Sequence, residues 1–263
     1  MAESGTSLAE LREKIKRSIV STQVWKSIFR HKYDDSARNR VLMVLANIWL
    51  HLHPATIRRS GIRIRYTWCM GGLTFLTYLV TVVTGVYLMF YYRPTQEYAY
   101  ADMQDIQYTV PFGMVTRNMH RWAAHAMVIF VMIHMYRVFL TGSYKPPREF
   151  NWVVGVVLLT LTLLLSFTGY LLPWDQLAIW AVTVGTNMAR ATPGLGHEGP
   201  LHPWFITPLT DVRFVLLGAT EPGPPTLLRF YVLHCIFFPI IATIFMIVHF
   251  WRIRKDGGIS GPL

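Results

Sequence analysis

Four histidines lie inside apolar runs at intervals that suit helices: His120 and His134 are fourteen positions apart, and His234 and His249 fifteen. An α-helix rises about 1.5 Å per residue and turns once every 3.6, so fourteen positions make nearly four turns and about 21 Å. Fifteen positions overshoot four turns by about 60°, which still leaves both rings on one side. An imidazole in hydrocarbon is costly unless it pairs, relays protons or binds metal. A single one is easily satisfied by a backbone carbonyl or a neighbouring helix; four in register point to metal. Neutral imidazoles from two facing helices are the axial donors of low-spin heme iron. His120 with His234, and His134 with His249, therefore describe two heme b sites at two depths.

Glycines repeat the interval. Gly71 and Gly85 are fourteen apart, and so are Gly155 and Gly169. Glycine is common in membrane helices, but the same interval on two further helices suggests positions where a flat macrocycle lies against bare backbone. Each heme would carry two anionic propionates. Arg117, one turn before His120, is the candidate donor at one end, and Arg137 or Arg254 at the other; interfacial anchoring is the competing role for each. His125 falls about 140° around the helix from His120, off the ligand face, and reads as structural or surface-facing. His31, His51, His53, His197 and His202 lie outside the apolar runs and show no metal-ligand pattern.

The elements that must position these residues are apolar and long. The chain has 263 residues, 52% hydrophobic and 15% charged, against about 25% charged in soluble domains. The net charge of +11 would suit nucleic acid, but thirteen of the basic residues precede the first apolar run, so no nucleic-acid partner is expected. Apolar runs at about 67–92, 119–140, 152–172 and 230–251 are each long enough to cross about 30 Å of hydrocarbon. The fold class is an all-α membrane protein with four transmembrane helices forming a heme-binding bundle. Residues 1–64 form a basic extension and residues 65–263 the transmembrane domain.

Within the extension, Leu8, Leu11, Ile15, Ile19 and Val24 make a helical stripe with basic residues between them, the pattern of an amphipathic helix on an anionic membrane surface. The competing reading is a partly disordered basic arm. A second short helix is expected from about Ala37 to His53, stopped by Pro54. A polar, acidic connection spans Thr95 to about Asn118, and a long Pro/Gly-rich one runs from Trp174 to about Leu228. Nineteen basic residues fall on one set of loops and six on the other. The positive-inside rule then places both termini and the 141–151 loop on the cytoplasmic side. Spans two and four run inward together, which puts His120 level with His234 on the outer side and His134 level with His249 on the inner side.

Two cysteines, Cys69 and Cys235, sit in apolar runs, so neither a disulfide framework nor a zinc site is indicated. No CxxCH motif is present, and the first 64 residues contain no apolar core of signal-peptide length. From its surroundings in sequence, Cys69 reads as a buried apolar cysteine.

The stretches VTGVYLMFYYRPT, RNMHRW, IHMYRVFLTG, KPPRE, FTGYLLPWDQ, RFYVLH and FMIVHF, with the terminal GISGPL, resemble cytochrome b6, the four-helix N-terminal part of a split cytochrome b. The resemblance covers about Arg65 to Leu263, including the unequal histidine intervals that separate the split kind from full-length cytochromes b. It implies a subunit of a Rieske/cytochrome b complex that oxidises quinol at the outer face. One electron passes to a Rieske iron–sulfur protein and on to a c-type cytochrome or plastocyanin-like acceptor. The other crosses through the two b hemes to an inner quinone site, with proton release outside and uptake inside. It also implies a dimeric complex and a C-terminal split-cytochrome partner carrying the PEWY part of the quinol site, which this chain lacks. WCMGG places Cys69 where relatives hold an extra high-spin heme c by one thioether, and Trp174 and Asp175 of PWDQ would lie near the outer quinol site. The location implied is a prokaryotic cell membrane, with a thylakoid membrane the alternative.

Two departures stand out, the long N-terminal extension and an insertion at about His197 to Pro208. The insertion faces the side where the redox partners dock, and a role in holding a different acceptor or an additional subunit is the expectation it raises. Two other readings of the whole chain remain at this level. One is a diheme anchor wiring a dehydrogenase or hydrogenase to quinone; the other is a heme-free scaffold or transporter subunit.

Overall fold

A computed structural model describes residues 7–22, 25, 36–48 and 59–259. The chain divides into two compact units, residues 1–51 and 52–263. In the first unit, α1 covers Leu8–Ser21 and α2 covers Ala37–Ala46. A capping box starts α1: Ser7 Oγ accepts from the Glu10 amide at 3.2 Å, and Glu10 accepts from the Ser7 amide at 3.0 Å, satisfying two donors that a helix start leaves unpaired. Leu8, Leu11, Ile15 and Ile19 are all exposed and follow the helical repeat, so α1 presents an exposed apolar stripe. The expected second helix breaks at Asn47, an extended C-cap, after Ala46; its stretch from residue 49 to His53 lies outside the described residues, as do Val24, His31 and His51.

In the second unit two short turns, α3 (Arg59–Ile62) and α4 (Ile64–Thr67), lead to the first long helix. The long helices are α5 (Met70–Met89), α7 (Gly113–Leu140), α8 (Glu149–Leu171) and a continuous rod from Pro224 to Lys255. The rod comprises α11 (Pro224–Val232), a π-helical turn (Leu233–Phe237) and α12 (Phe238–Lys255). Each is long and apolar enough to cross a membrane, and their outward side chains, among them Val83, Phe90, Ile129 and Ile244, are exposed as lipid-facing surfaces are. Pro224 and Pro225 open the rod, where a missing N–H costs nothing.

Helix α5 packs against α7, and α8 against the fourth rod. The contacts run antiparallel in both pairs, because Gly71 early in α5 meets His134 late in α7, and Gly169 late in α8 meets His234 early in the rod. Midway between the two histidine levels, Tyr78, Met127, Leu161, Leu165 and Ala242 form a packed core. The Tyr78 hydroxyl reaches from α5 to the Pro239 carbonyl at 2.9 Å and Thr243 Oγ1 at 2.8 Å, tying the first span to the fourth.

The connections hold more helix than their composition suggests. The polar stretch after α5 contains α6 (Ala99–Tyr108), and the Pro/Gly-rich connection contains α9 (Gln176–Arg190) and α10 (Val212–Leu217). These cap the His120 end of the bundle through a second core built on Ile106, Leu171, Val182, Leu217, Leu227 and Phe230, all at or near zero exposure. Such side chains contribute about 1.5–3 kcal/mol each when fully buried. The stretch 99–108 escapes a hydropathy reading because only one face is apolar. Proline and glycine crowd the far end of the long connection, whereas 176–190 contains one glycine and no proline. Arg93 and Asp102 lock α6 to the end of the first span at 2.6 Å. Hydrogen bonding from the Arg93 guanidinium, opposed by burial, holds the Asp102 carboxyl below the usual carboxylate range.

Candidate functional site

The four histidines form two facing pairs. The ring centroids of His120 and His234 are 6.1 Å apart with planes at 74°, and those of His134 and His249 are 6.4 Å apart at 81°. A metal–imidazole bond is about 2 Å and a ring nitrogen lies about 1.1 Å from its ring centre, so two imidazoles in line on one ion put their centroids about 6.3 Å apart. Both pairs match that spacing.

The fifteen-residue interval is reconciled locally. The π turn at Leu233–Phe237 contains His234, and such a turn absorbs one extra residue within an otherwise α-helical rod. Pro239 follows it and cannot donate to a carbonyl one turn back, which favours the wider turn. The offset of about 60° expected for an ideal helix is thereby taken up, and both pairs reach the same spacing.

Second partners orient the rings at the first level. His234 Nδ1 donates to the Leu165 carbonyl at 3.0 Å. The Thr84 hydroxyl donates to the Val80 carbonyl at 2.6 Å, so Thr84 Oγ1 receives the His120 Nδ1 proton at 2.9 Å. In both rings the proton is held on Nδ1 and the Nε2 lone pair is left as the metal donor. Thr84 and Thr168, which also borders His234 at 3.4 Å, are residues that the sequence reading missed. A threonine one position before a glycine of the fourteen-residue interval, present in both α5 and α8, was the available signal.

The glycines meet the imidazoles themselves. A Cβ at Gly71 would lie 3.2 Å from His134 Cε1, one at Gly85 3.1 Å from His120 Cε1, and one at Gly169 2.5 Å from His234 Cε1. Gly155 is looser, with Met135 Sδ at 3.6 Å and His249 Cε1 at 4.0 Å. Their role is thus to admit the rings as much as any macrocycle.

At the second level a cavity of about 390 Å³ opens between the helices, lined by His134, His249, Gly71, Gly155, Cys69 and Arg137 among others. His249 Nδ1 and Arg137 Nη2 are buried there without hydrogen-bond partners, polar atoms of the kind that a bound anionic, ring-shaped group would satisfy. Cys69 is exposed, which corrects the expectation of a buried cysteine. Trp68 and Cys69 adopt consecutive left-handed conformations, φ 52° and 53°, so the break between α4 and α5 turns the thiol out of the helix stack to the cavity rim. Backbone strain of this kind concentrates at functional sites.

The remaining expected residues are placed less centrally. Arg117 bonds the Gln107 side chain at 2.8 Å. Arg137 donates to the Tyr66 carbonyl at 3.2 Å and stacks over its ring. Arg254 does not line the cavity, whereas Arg148 does. Trp174 is buried in the core beneath α9, and Asp175 accepts from the Ala178 amide at 2.8 Å as that helix's cap. His125 is exposed, against Trp122. Within the insertion, His197 Nδ1 pairs with Asp211 at 2.5 Å.

Among the described residues no group of three or more His, Cys, Asp or Glu converges to hold a metal ion. A two-histidine pair must therefore borrow its other ligands from a macrocycle, and each pair fits one. Fold and site together define a membrane-spanning, multi-heme electron carrier. The family model described as Cytochrome b/b6/petB matches residues 58–257. The chain is 45% identical over 196 residues to cytochrome b6 of Chlamydomonas reinhardtii, covering 74% of this chain and 85% of that one. A solved chain of a hyperthermophilic respiratory Complex III superimposes with a TM-score of 0.65 at 26% identity, covering 85% of this chain and 54% of that one. The chain belongs to the cytochrome b/b6 family, the b-heme-carrying subunits of quinol oxidoreductases. This sets aside the dehydrogenase-anchor and heme-free alternatives.

Proposed function

We propose that this chain is the diheme subunit of a Rieske/cytochrome b complex, holding one b heme between His120 and His234 and a second between His134 and His249. The observation that carries this reading is the shared centroid spacing of the two pairs, 6.1 and 6.4 Å. Bound hemes supply reversible one-electron storage at two depths about 21 Å apart. The chain's own residues do the rest. Thr84 and Leu165 fix the imidazole tautomers, Gly85 and Gly169 clear space for the rings, and Arg137 offers an unpartnered guanidinium nitrogen to a propionate. Arg117, held by Gln107 at 2.8 Å, serves the other level, and Arg254, outside the cavity lining, is left as an interfacial anchor.

Quinol is oxidised at the His120 end, which faces outward, and quinone is reduced at the His134 end. Trp174 and Asp175 set the start of α9 and through it this chain's wall of the outer site. The C-terminal split-cytochrome partner completes that wall, and a Rieske protein with a c-type acceptor takes the second electron in a dimeric complex. Cys69, at the cavity rim, carries a further heme c by one thioether. The α1 stripe lies in the headgroup region of an anionic leaflet, with both termini on the cytoplasmic side of a prokaryotic membrane.

Purification of the native complex tests this directly. A reduced-minus-oxidised spectrum with a b-type band and two b hemes per chain is expected, together with heme that stays on this chain after denaturation and is lost in Cys69→Ala. A spectrum without a b-type band would overturn the assignment; heme-free denatured chain would overturn the Cys69 part alone.

A further inference from the structure

The layer between the two histidine levels falls at half the fourteen-residue interval. Tyr78 is seven positions from both Gly71 and Gly85, Met127 seven from both His120 and His134, and Thr162 seven from both Gly155 and Gly169. Seven positions are nearly two helical turns, so these side chains point into the bundle as the residues on either side of them do. Thr162 spends its hydroxyl on its own helix, on the Leu158 carbonyl at 2.9 Å. The Tyr78 hydroxyl instead crosses to the fourth rod, where it meets the Pro239 carbonyl at 2.9 Å and Thr243 Oγ1 at 2.8 Å. Thr243 Oγ1 also donates to the Pro239 carbonyl, at 2.7 Å. Three polar groups thus satisfy one another within an otherwise apolar layer.

The point of attachment is the exit of the π turn. The Phe238 amide closes that turn on the Leu233 carbonyl, and Pro239 has no N–H to continue the ladder. The rod therefore lacks a backbone bond at the place where its register departs from the α-helix. A slip of one residue there turns everything beyond it by about 100°. His234, inside the π turn, is held independently by the Leu165 carbonyl at 3.0 Å and Thr168 Oγ1 at 3.4 Å. His249 lies ten positions past Pro239, and its Nδ1 has no hydrogen-bond partner. Its ring therefore takes its direction from the phase of the rod.

Resting on the reading that each histidine pair holds a b heme, we propose that Tyr78 is a positioning residue for His249. Its hydroxyl locks the exit of the π turn and so fixes the phase in which the rod presents His249 to His134. The ring planes at 81° are the product of that phase. The first span thereby sets a ligand that it does not touch through the hydroxyl, about 15 Å further along the rod.

The test uses the purified complex with Tyr78→Phe, which keeps the ring and removes the hydroxyl. Hydrogen exchange across residues 233–240 is expected to rise about tenfold, the factor that one hydrogen bond supplies. The low-spin EPR signal of the His134–His249 heme, identified by its absence in His249→Leu, is expected to shift while the other b signal stays in place. Equal shifts of both signals with unaltered exchange would show a field effect of a hydroxyl lying between the hemes, and overturn the proposal; so would no shift at all. Pro239→Ala restores the missing donor and lets the turn relax towards α register, so it should move the same signal. Adding Tyr78→Phe to it should then do little more, and full additivity counts against the lock. If Tyr78→Phe does not assemble, Thr243→Val decides: a smaller shift of the same signal supports the proposal, and an unaltered one overturns it. Wild-type complex without a b-type band overturns the parent reading instead.

Discussion

His234 Nδ1 and the carbonyl oxygen of Leu165 are 3.0 Å apart across the contact between α8 and the fourth span. This bond joins a ring on one helix to the backbone of the next, so ring orientation and helix packing at the His120–His234 level are set together. The planes there lie at 74°, and those of the second pair at 81°.

Near-perpendicular axial imidazoles leave low-spin iron(III) close to orbital degeneracy, so both b sites are expected to give strongly anisotropic EPR signals. His234→Leu removes one such signal and one b heme per chain while the second remains, measured by EPR and heme-to-protein ratio. Two ordinary rhombic signals would contradict the ring geometry.

Gly169 and Gly155 should respond oppositely to the same change. In Gly169→Ala the new methyl meets His234 at 2.5 Å, and the overpacking of about 1–3 kcal/mol falls on a ligand, so heme at that level is lost or weakly held. In Gly155→Ala the nearest atom is 3.6 Å away and stability changes by less than about 1 kcal/mol. Heme titration and thermal melts of the two variants side by side decide this.

Thr84→Val removes the acceptor for His120 Nδ1 while keeping the side-chain shape. A ligand that loses such a partner becomes less basic, so the reduction potential of the heme at this level should rise by on the order of tens of millivolts. Redox titration should show the other b heme unmoved.

Asp102 gives the His120 end an acid-sensitive lock. Its carboxyl is held below the ordinary range by Arg93, so its contribution is complete above the unfolded value of about 3.9 and is lost as pH falls through the lower folded value. Asp102→Asn should lower stability at neutral pH, by an amount that solvent screening of the exposed Arg93 keeps modest, and change nothing at the acid end. Thermal melts of the solubilised complex from pH 7 to about pH 3 measure the difference.

The exposed stripe of α1 predicts lipid dependence. Leu11→Glu with Ile15→Glu should raise hydrogen exchange across residues 8–21 in anionic nanodiscs, and in the unaltered complex added salt should act in the same direction. Equal exchange in both proteins would detach α1 from the bilayer.

The four spans and the histidine pairing were legible in the chain because both depend on local quantities, hydropathy over about 20 residues and the 3.6-residue turn. The glycine interval was legible for the same reason. The same local rule left one feature unrefined and misjudged another. Treated as an ideal helix, His234 and His249 keep an angular offset, which the π turn around His234 takes up. Cys69 was assigned to the interior from its apolar neighbours, but the two left-handed residues at Trp68 and Cys69 carry it to an exposed rim. Helix α9 was hidden among prolines and glycines that belong to the far end of its connection.

Sequence alone determined the number of spans, the residue types that can ligate iron, and the periodicities that put them on common faces, since each follows from neighbours along one helix. Only the tertiary structure decided that both pairs close to one spacing and that Thr84 and Leu165 hold the rings. It likewise decided that the Tyr78 hydroxyl on the first span meets the Pro239 carbonyl on the fourth, 161 positions apart. Those relations depend on how separate helices pack, and no local pattern encodes the distance between them.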